Sequence, residues 1–85
     1  MKKIDFGHIV VQNIEGKDVN VDLRKTLGES MYINSRNYDG FDLGRTIYRS
    51  EGEIELTDEQ VNIVMMFMES YPYVTREAVK TILEL

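Results

Sequence analysis

The side chains of this 85-residue chain that could do chemistry are few and scattered. His8 is the only histidine, and there is no cysteine. A hydrolytic centre needs a nucleophile oriented by a base, which is itself held by a third group. Ser30, Ser35, Ser50 and Ser70 stand in no such setting, so His8, on a strand face, reads as a hydrogen-bonded structural residue. Five carboxylates gather in sequence at Glu51, Glu53, Glu55, Asp58 and Glu59. Residues two apart on a strand share a face, so the three glutamates could offer oxygen ligands to Ca²⁺ or Mg²⁺. The run lacks the glycine-punctuated spacing of a calcium loop and reads better as a solvated strand face that discourages edge pairing. No thiolate is present to hold zinc, and the glycines have no phosphate-loop or dinucleotide spacing. These readings assign no catalytic residue, no metal ligand and no cofactor, and they point away from an enzyme.

Charge narrows the partners. The chain carries a net charge of −5, distributed unevenly. Residues 1–50 hold eight Lys/Arg against seven Asp/Glu, whereas residues 51–85 hold two against eight. An acidic chain is repelled by phosphates unless its basic groups cluster in space. Arg36, Arg45 and Arg49 are the candidates for such a cluster. The last two helices have helix-turn-helix dimensions around Tyr71-Pro72-Tyr73. The second would bring only Arg76 and Lys80 against Glu77 and Glu84, too few donors for a recognition helix. Nucleic acid is thus a poor partner by composition. No apolar run approaches the ~20 residues of a membrane span. The opening MKKIDFGHIVV lacks the long apolar stretch and cleavage site of a signal peptide, which favours a cytoplasmic protein.

The elements that must position these groups follow from periodicity. Ile4–Val11 is expected as one strand, with a bulge near Gly7. Val19, Val21 and Leu23 alternate with Asn20 and Asp22 as a second strand, joined to the first by a turn through Gly16. Leu23, Leu27 and Met31 recur every four residues, which predicts a helix over 23–36 capped by Asp22. Residues 37–40 break the pattern, and a shorter helix is expected over 41–49, with Leu43 and Ile47 on its stripe. Gly28 and Gly44 weaken both helices, and a close approach of the two would explain them. Glu51–Leu56 alternates as a third strand. Thr57-Asp58-Glu59-Gln60 then has the form of a capping box, opening a helix that ends near Tyr71, before Pro72. A last helix is expected from Thr75, with Val74 and Val79 as a staple across its cap and Ala78, Val79, Ile82 and Leu83 as its buried stripe. No internal repeat is evident. The expected fold is α+β, a single domain over residues 1–85 in the order β-β-α-α-β-α-α. A hairpin and a later strand would form a three-stranded sheet with four helices on one face.

One stretch exceeds what a small core requires. Ile63-Val64-Met65-Met66-Phe67-Met68 is six apolar residues in a row, which at about 100° per residue sweeps the whole helix circumference. Val61, Val64, Met65 and Met68 form one stripe, and Ile63, Met66, Phe67 and Tyr71 form another. The helix is either the central post of the core, or its second stripe awaits a partner. Flexible, polarizable methionine suits the latter, and aromatic and methionine side chains are enriched at interface centres. The expected partner surface is Met65, Met66, Phe67 and Tyr71, with Tyr73 at the rim.

The strings DLRKTLGESMYINS, DLGRTIYRS and GEIELTDEQ, leading into an apolar helix, resemble short proteins encoded by bacterial phages, prophages and mobile elements. The resemblance spans most of the chain and supplies no functional residue. It implies a structural, assembly or regulatory accessory. The expectation is a non-catalytic protein–protein interaction module, with self-association as one outcome. The alternative is a small regulator of nucleic-acid machinery, either a weak DNA binder through its helical pair or an acidic mimic of DNA.

Overall fold

The computed structural model describes residues 1–85. The order is β1 (Lys2–Ile4), β2 (Ile9–Gln12), β3 (Asp18–Val21), α1 (Arg24–Asn34), α2 (Tyr38–Tyr48), β4 (Ile54–Leu56), α3 (Asp58–Met68) and α4 (Tyr73–Ile82). The class is α+β with four helices, as expected. The sheet differs: β1 pairs with β4 and β2 with β3, giving two separate antiparallel pairs and no three-stranded sheet.

The cause lies at Asp5–His8. The expected first strand is cut in two by a turn, in which the Asp5 carboxylate accepts from the Gly7 amide at 2.9 Å and the Asp5 carbonyl from the His8 amide at 3.1 Å. Asp side chains favour such turns because they satisfy backbone donors locally. Phe6, at the corner, is fully buried, and its carbonyl accepts from the Leu23 amide at 2.8 Å. The two halves of the strand thus leave in different directions. β4 is correspondingly short. It pairs only as far as Ile54, opposite Ile4, because β1 turns away at Asp5. Glu51 and Glu53 therefore fall outside the strand, and the acidic ladder does not form. Glu55 alone remains in it, opposite Lys3, a favourable cross-strand charge pair.

The hairpin turn forms as expected. Gly16 takes φ 81°, and the Asn13 side chain accepts from the Glu15 and Lys17 amides at 3.0 Å each. The helix starts shift. Leu23, not Asp22, is the residue preceding α1, and it offers no side-chain cap; Asp22 instead accepts from the Arg24 amide at 3.0 Å. α2 begins at Tyr38, because the Asn37 side chain caps it by accepting from the Gly40 amide at 3.1 Å. Residues expected to be a break are its first turn. The Thr57 capping box closes in both directions: Thr57 N–H donates to Gln60 Oε1 at 2.8 Å, and Gln60 N–H to Thr57 Oγ1 at 3.2 Å. α4 starts directly after Pro72, which has no N–H to leave unpaired at a helix start. Thr75 is consequently a buried position inside the helix, and Val74 is half exposed rather than stapled to Val79.

The core draws on every element except β3. Its fully buried side chains include Ile4, Phe6, Ile9, Leu27, Met31, Ile47, Leu56, Val64, Met68, Val79 and Leu83. α3 touches α1, α2, α4 and β4, and it buries Val61, Val64 and Met68. α4 covers β2, and its buried stripe narrows to Thr75, Val79 and Leu83, with Ile82 exposed.

The tightest contact is between α1 and α2. A Cβ on Gly28 would stand 2.8 Å from the Gly44 carbonyl oxygen and the Tyr48 amide nitrogen. A Cβ on Gly44 would stand 2.7 Å from the Gly28 carbonyl oxygen and 2.8 Å from the Tyr32 amide nitrogen. The glycines are therefore where the two backbones touch, as the close-approach reading anticipated. The contacts are reciprocal, which exposes a short repeat that strand-and-helix periodicity did not reveal. Leu27-Gly28-Glu29-Ser30-Met31-Tyr32 matches Leu43-Gly44-Arg45-Thr46-Ile47-Tyr48, each glycine meeting the backbone of the other copy. In each copy the leucine, glycine and Met/Ile are buried and the tyrosine is exposed.

Two outcomes follow from these contacts. Gly→Ala on an exposed helix gains about 1 kcal/mol of helix propensity, but here the added methyl meets backbone that cannot rotate away. Overpacking of this kind costs about 1–3 kcal/mol, so Gly28→Ala and Gly44→Ala each lower the urea midpoint instead of raising it. Asp22 supplies the second. The Arg24 side chain, and then the Arg24 amide, hold its carboxyl below its ordinary 3.8, at about 2. A depressed carboxyl stabilises the fold above its unfolded value and loses that contribution as pH falls through its folded value. The thermal midpoint of Asp22→Asn therefore lies below that of the parent at pH 5, and the gap closes as both are titrated toward pH 2.

Candidate docking surface

The scattered reactive groups stay scattered. His8 Nδ1 lies 3.0 Å from Asp5 Oδ2, so the ring is hydrogen-bonded as expected, but it is exposed and sits in the turn before β2 instead of on a strand face. It borders a shallow depression of about 690 Å³ between β2 and α4, with Val10, Gln12, Val74, Glu77 and Thr81 among its walls. Two of the serine hydroxyls are engaged locally: Ser50 donates to the Ile47 carbonyl at 2.8 Å and Ser70 to the Phe67 carbonyl at 3.3 Å. No three of the His, Asp and Glu side chains converge as metal ligands would.

The three arginines of the helical pair divide between two places. Arg45 and Arg49 border a depression of about 370 Å³ over the glycine crossing, together with Glu29, Tyr32 and Tyr48. Arg45 is tied to Asp42 at 2.8 Å, which raises its pKa further, and Lys25 Nζ lies 4.0 Å over the Tyr48 ring. Arg36 belongs to a different groove, at the other end of α2.

That second groove, about 400 Å³, runs between the α1–α2 turn and α3. One wall is Asn34, Ser35, Arg36, Asn37 and Gly40; the other is Ile63, Met66 and Phe67. The wall assignments follow from the helix period. With Val61, Val64 and Met68 turned into the core, the opposite side of α3 carries Met66, which is 61% exposed, flanked by half-buried Ile63 and Phe67. The apolar run is thus both post and surface. Met65 lies on the inner side and packs partly against the core. Tyr71 sits beyond the end of α3, half buried against the core, its amide donating to the Met68 carbonyl at 3.0 Å. Tyr73 opens α4 and is 67% exposed, with the Arg76 guanidinium 5.7 Å over its ring. Of the five residues expected at an interface, the groove brings together Met66 and Phe67. Met65, Tyr71 and Tyr73 are not part of it.

The polar wall was not legible as a site. Asn34, Ser35, Asn37 and Gly40 read as a helix break, and only the Asn37-x-x-Gly40 spacing, an N-cap followed by the amide it binds, hinted at an ordered corner. No helix is long and apolar enough to cross a membrane. Comparison with protein-family models, curated proteins and solved structures finds no match to this chain.

Neighbouring methionines should respond differently to truncation. Met68→Ala removes a fully buried side chain and should cost about 2–5 kcal/mol. Met66→Ala, on the exposed side, should stay within about 0.5 kcal/mol of the parent. Urea denaturation of the two variants checks this contrast.

Proposed function

We propose that the chain is a non-catalytic protein–protein interaction or assembly module that docks through the outer stripe of α3. The observation that carries this reading is Met66. It stands exposed on a helix otherwise engaged with four elements, beside a groove whose far wall is polar. An isolated surface hydrophobe is ordinary, but a methionine between Ile63 and Phe67 at the lip of a groove has the adaptable chemistry of a binding surface. Tyr73 and Tyr71 extend the apolar character toward α4. The function fits a structural or regulatory accessory of phage or mobile-element origin, acting in the cytoplasm.

A second reading has one observation in its favour. Arg45, Arg49, Tyr32 and Tyr48 surround the saddle over the glycine crossing, and interleaved cationic and aromatic groups suit nucleic acid. Binding of duplex or single-stranded DNA that weakens steeply with salt would support it; no gel shift at low salt eliminates direct contact. The net charge of −5 weighs against it.

Met66→Lys tests the first reading without ambiguity, because so exposed a site tolerates a charge. The variant keeps the parent's circular dichroism and thermal midpoint. Light scattering across a concentration series, and affinity capture with the tagged chain, should show self-association or a bound protein for the parent that the variant lacks. Identical masses and identical captured proteins would overturn the reading.

A further inference from the structure

The groove beside α3 has a chemistry more specific than greasiness. Its eight lining residues include one cation, Arg36, and no carboxylate, in a chain with fifteen Asp and Glu. The Arg36 guanidinium takes part in no ion pair, whereas Arg24 and Arg45 are each held by an aspartate. Asn34 and Asn37 border the same wall; the Asn34 amide donates to the Ser30 carbonyl at 3.0 Å and the Asn37 side-chain oxygen caps α2, so the Asn37 amide group is the one of the two without a partner in the protein. Behind them lies Ser35 Oγ, the one buried side-chain polar atom in the protein without a hydrogen-bond partner. An unpartnered buried hydroxyl is uncommon. Gly40 packs directly against that oxygen, where any side chain would collide with it. Opposite this polar, cationic wall stand Ile63, Met66 and Phe67.

We infer that the groove captures the C-terminal residue of a partner protein, with the α-carboxylate at Arg36 and an apolar last side chain against Ile63, Met66 and Phe67. Charge complementarity and geometry together select this occupant. A terminal residue carries its carboxylate and its side chain on one Cα, so an anionic and an apolar group arrive side by side, as the two walls require. An internal acidic segment puts the carboxylate and the apolar group on different residues, and it brings peptide groups on both sides that must also be satisfied. A volume of about 400 Å³ lies toward the small end of ligand pockets, which run roughly 300–1,000 Å³, and suits a chain end better than a crossing strand. Capture of a terminal carboxylate is a recurrent mode of peptide recognition, and a guanidinium is the side chain that best matches a carboxylate's two oxygens.

The inference rests on the docking reading of α3 and names the chemistry of what docks there. It is tested on the full chain, ¹⁵N-labelled and with methionine methyls labelled, by titration with three probes: acetyl-Gly-Gly-Leu as the free acid, the same peptide as its C-terminal amide, and acetyl-Gly-Leu-Asp-Gly amide. The free acid should shift the amides of residues 34–40 and the Met66 methyl. The amide and the internal-acid peptide should bind at least about tenfold more weakly, the scale of one charge-assisted hydrogen bond. Arg36→Gln should keep the parent's melting curve, since Arg36 is exposed and unpaired, and should lose a similar factor for the free acid only. Equal binding of acid and amide, equal binding of the internal-acid peptide, or no shift at millimolar peptide would each overturn the inference. If the peptides fail while Met66→Lys still changes mass or captured proteins, only the chain-end chemistry falls. If Met66→Lys changes nothing either, the docking surface itself is wrong.

Discussion

The arrangement of this protein depends on two backbones touching at Gly28 and Gly44. Helices normally lie 8–10 Å apart, separated by side chains. Here each glycine lets the other helix's carbonyl and amide groups approach to within van der Waals range. That approach fixes the crossing point, and the reciprocity of the contacts fixes the register of α1 against α2. With the pair locked, Leu27, Met31, Leu43 and Ile47 join one buried core, and both helices lie against α3. The same lock sets the corner at residues 35–37, and hence the polar wall of the groove beside Met66.

What was legible in the sequence had local causes. The hairpin turn and the capping box at Thr57 and Gln60 depend on residues that satisfy one another within a few positions. The glycine contact was legible because a mid-helix glycine costs stability unless another backbone fills the space it leaves. What was not legible depended on competition between partners. Ile4–Val11 has the alternation of a continuous strand, yet the Asp5 side chain offers the Gly7 amide a local partner, and Phe6 is buried at the corner that results. Once that turn forms, β1 is free to take β4 and the hairpin is left with two strands. The starts of α2 and α4 fall upstream of their expected places for a related reason. Asn37 caps α2 well upstream of its first apolar stripe residue, and Pro72 opens α4 without any side-chain cap.

The surface stripe was half legible. Helical period separates Met66 from Val64 and Met68, so two stripes could be written down from sequence. Period alone could not say which stripe faces inward, that Tyr71 lies past the helix end, or that Arg36 stands across from Met66. Those are consequences of how the α1–α2 corner lies against α3. The polar half of the groove is assembled from residues whose composition marks only a break between helices, so nothing in their order announces a site.

Pairing β1 with β4 has a consequence for synthesis on the ribosome. Residues 2–4 emerge early, but their partner strand, residues 54–56, lies far downstream in the chain, and α4, which shields β2, comes later still. The helical pair, whose contacts are short-range, can form in the meantime, whereas β1 must stay open until β4 has been translated. Non-local closure of this kind is slow and leaves an unpaired edge exposed to other molecules. β1 is therefore among the last segments to find its place, and the core is complete only once α4 has been translated.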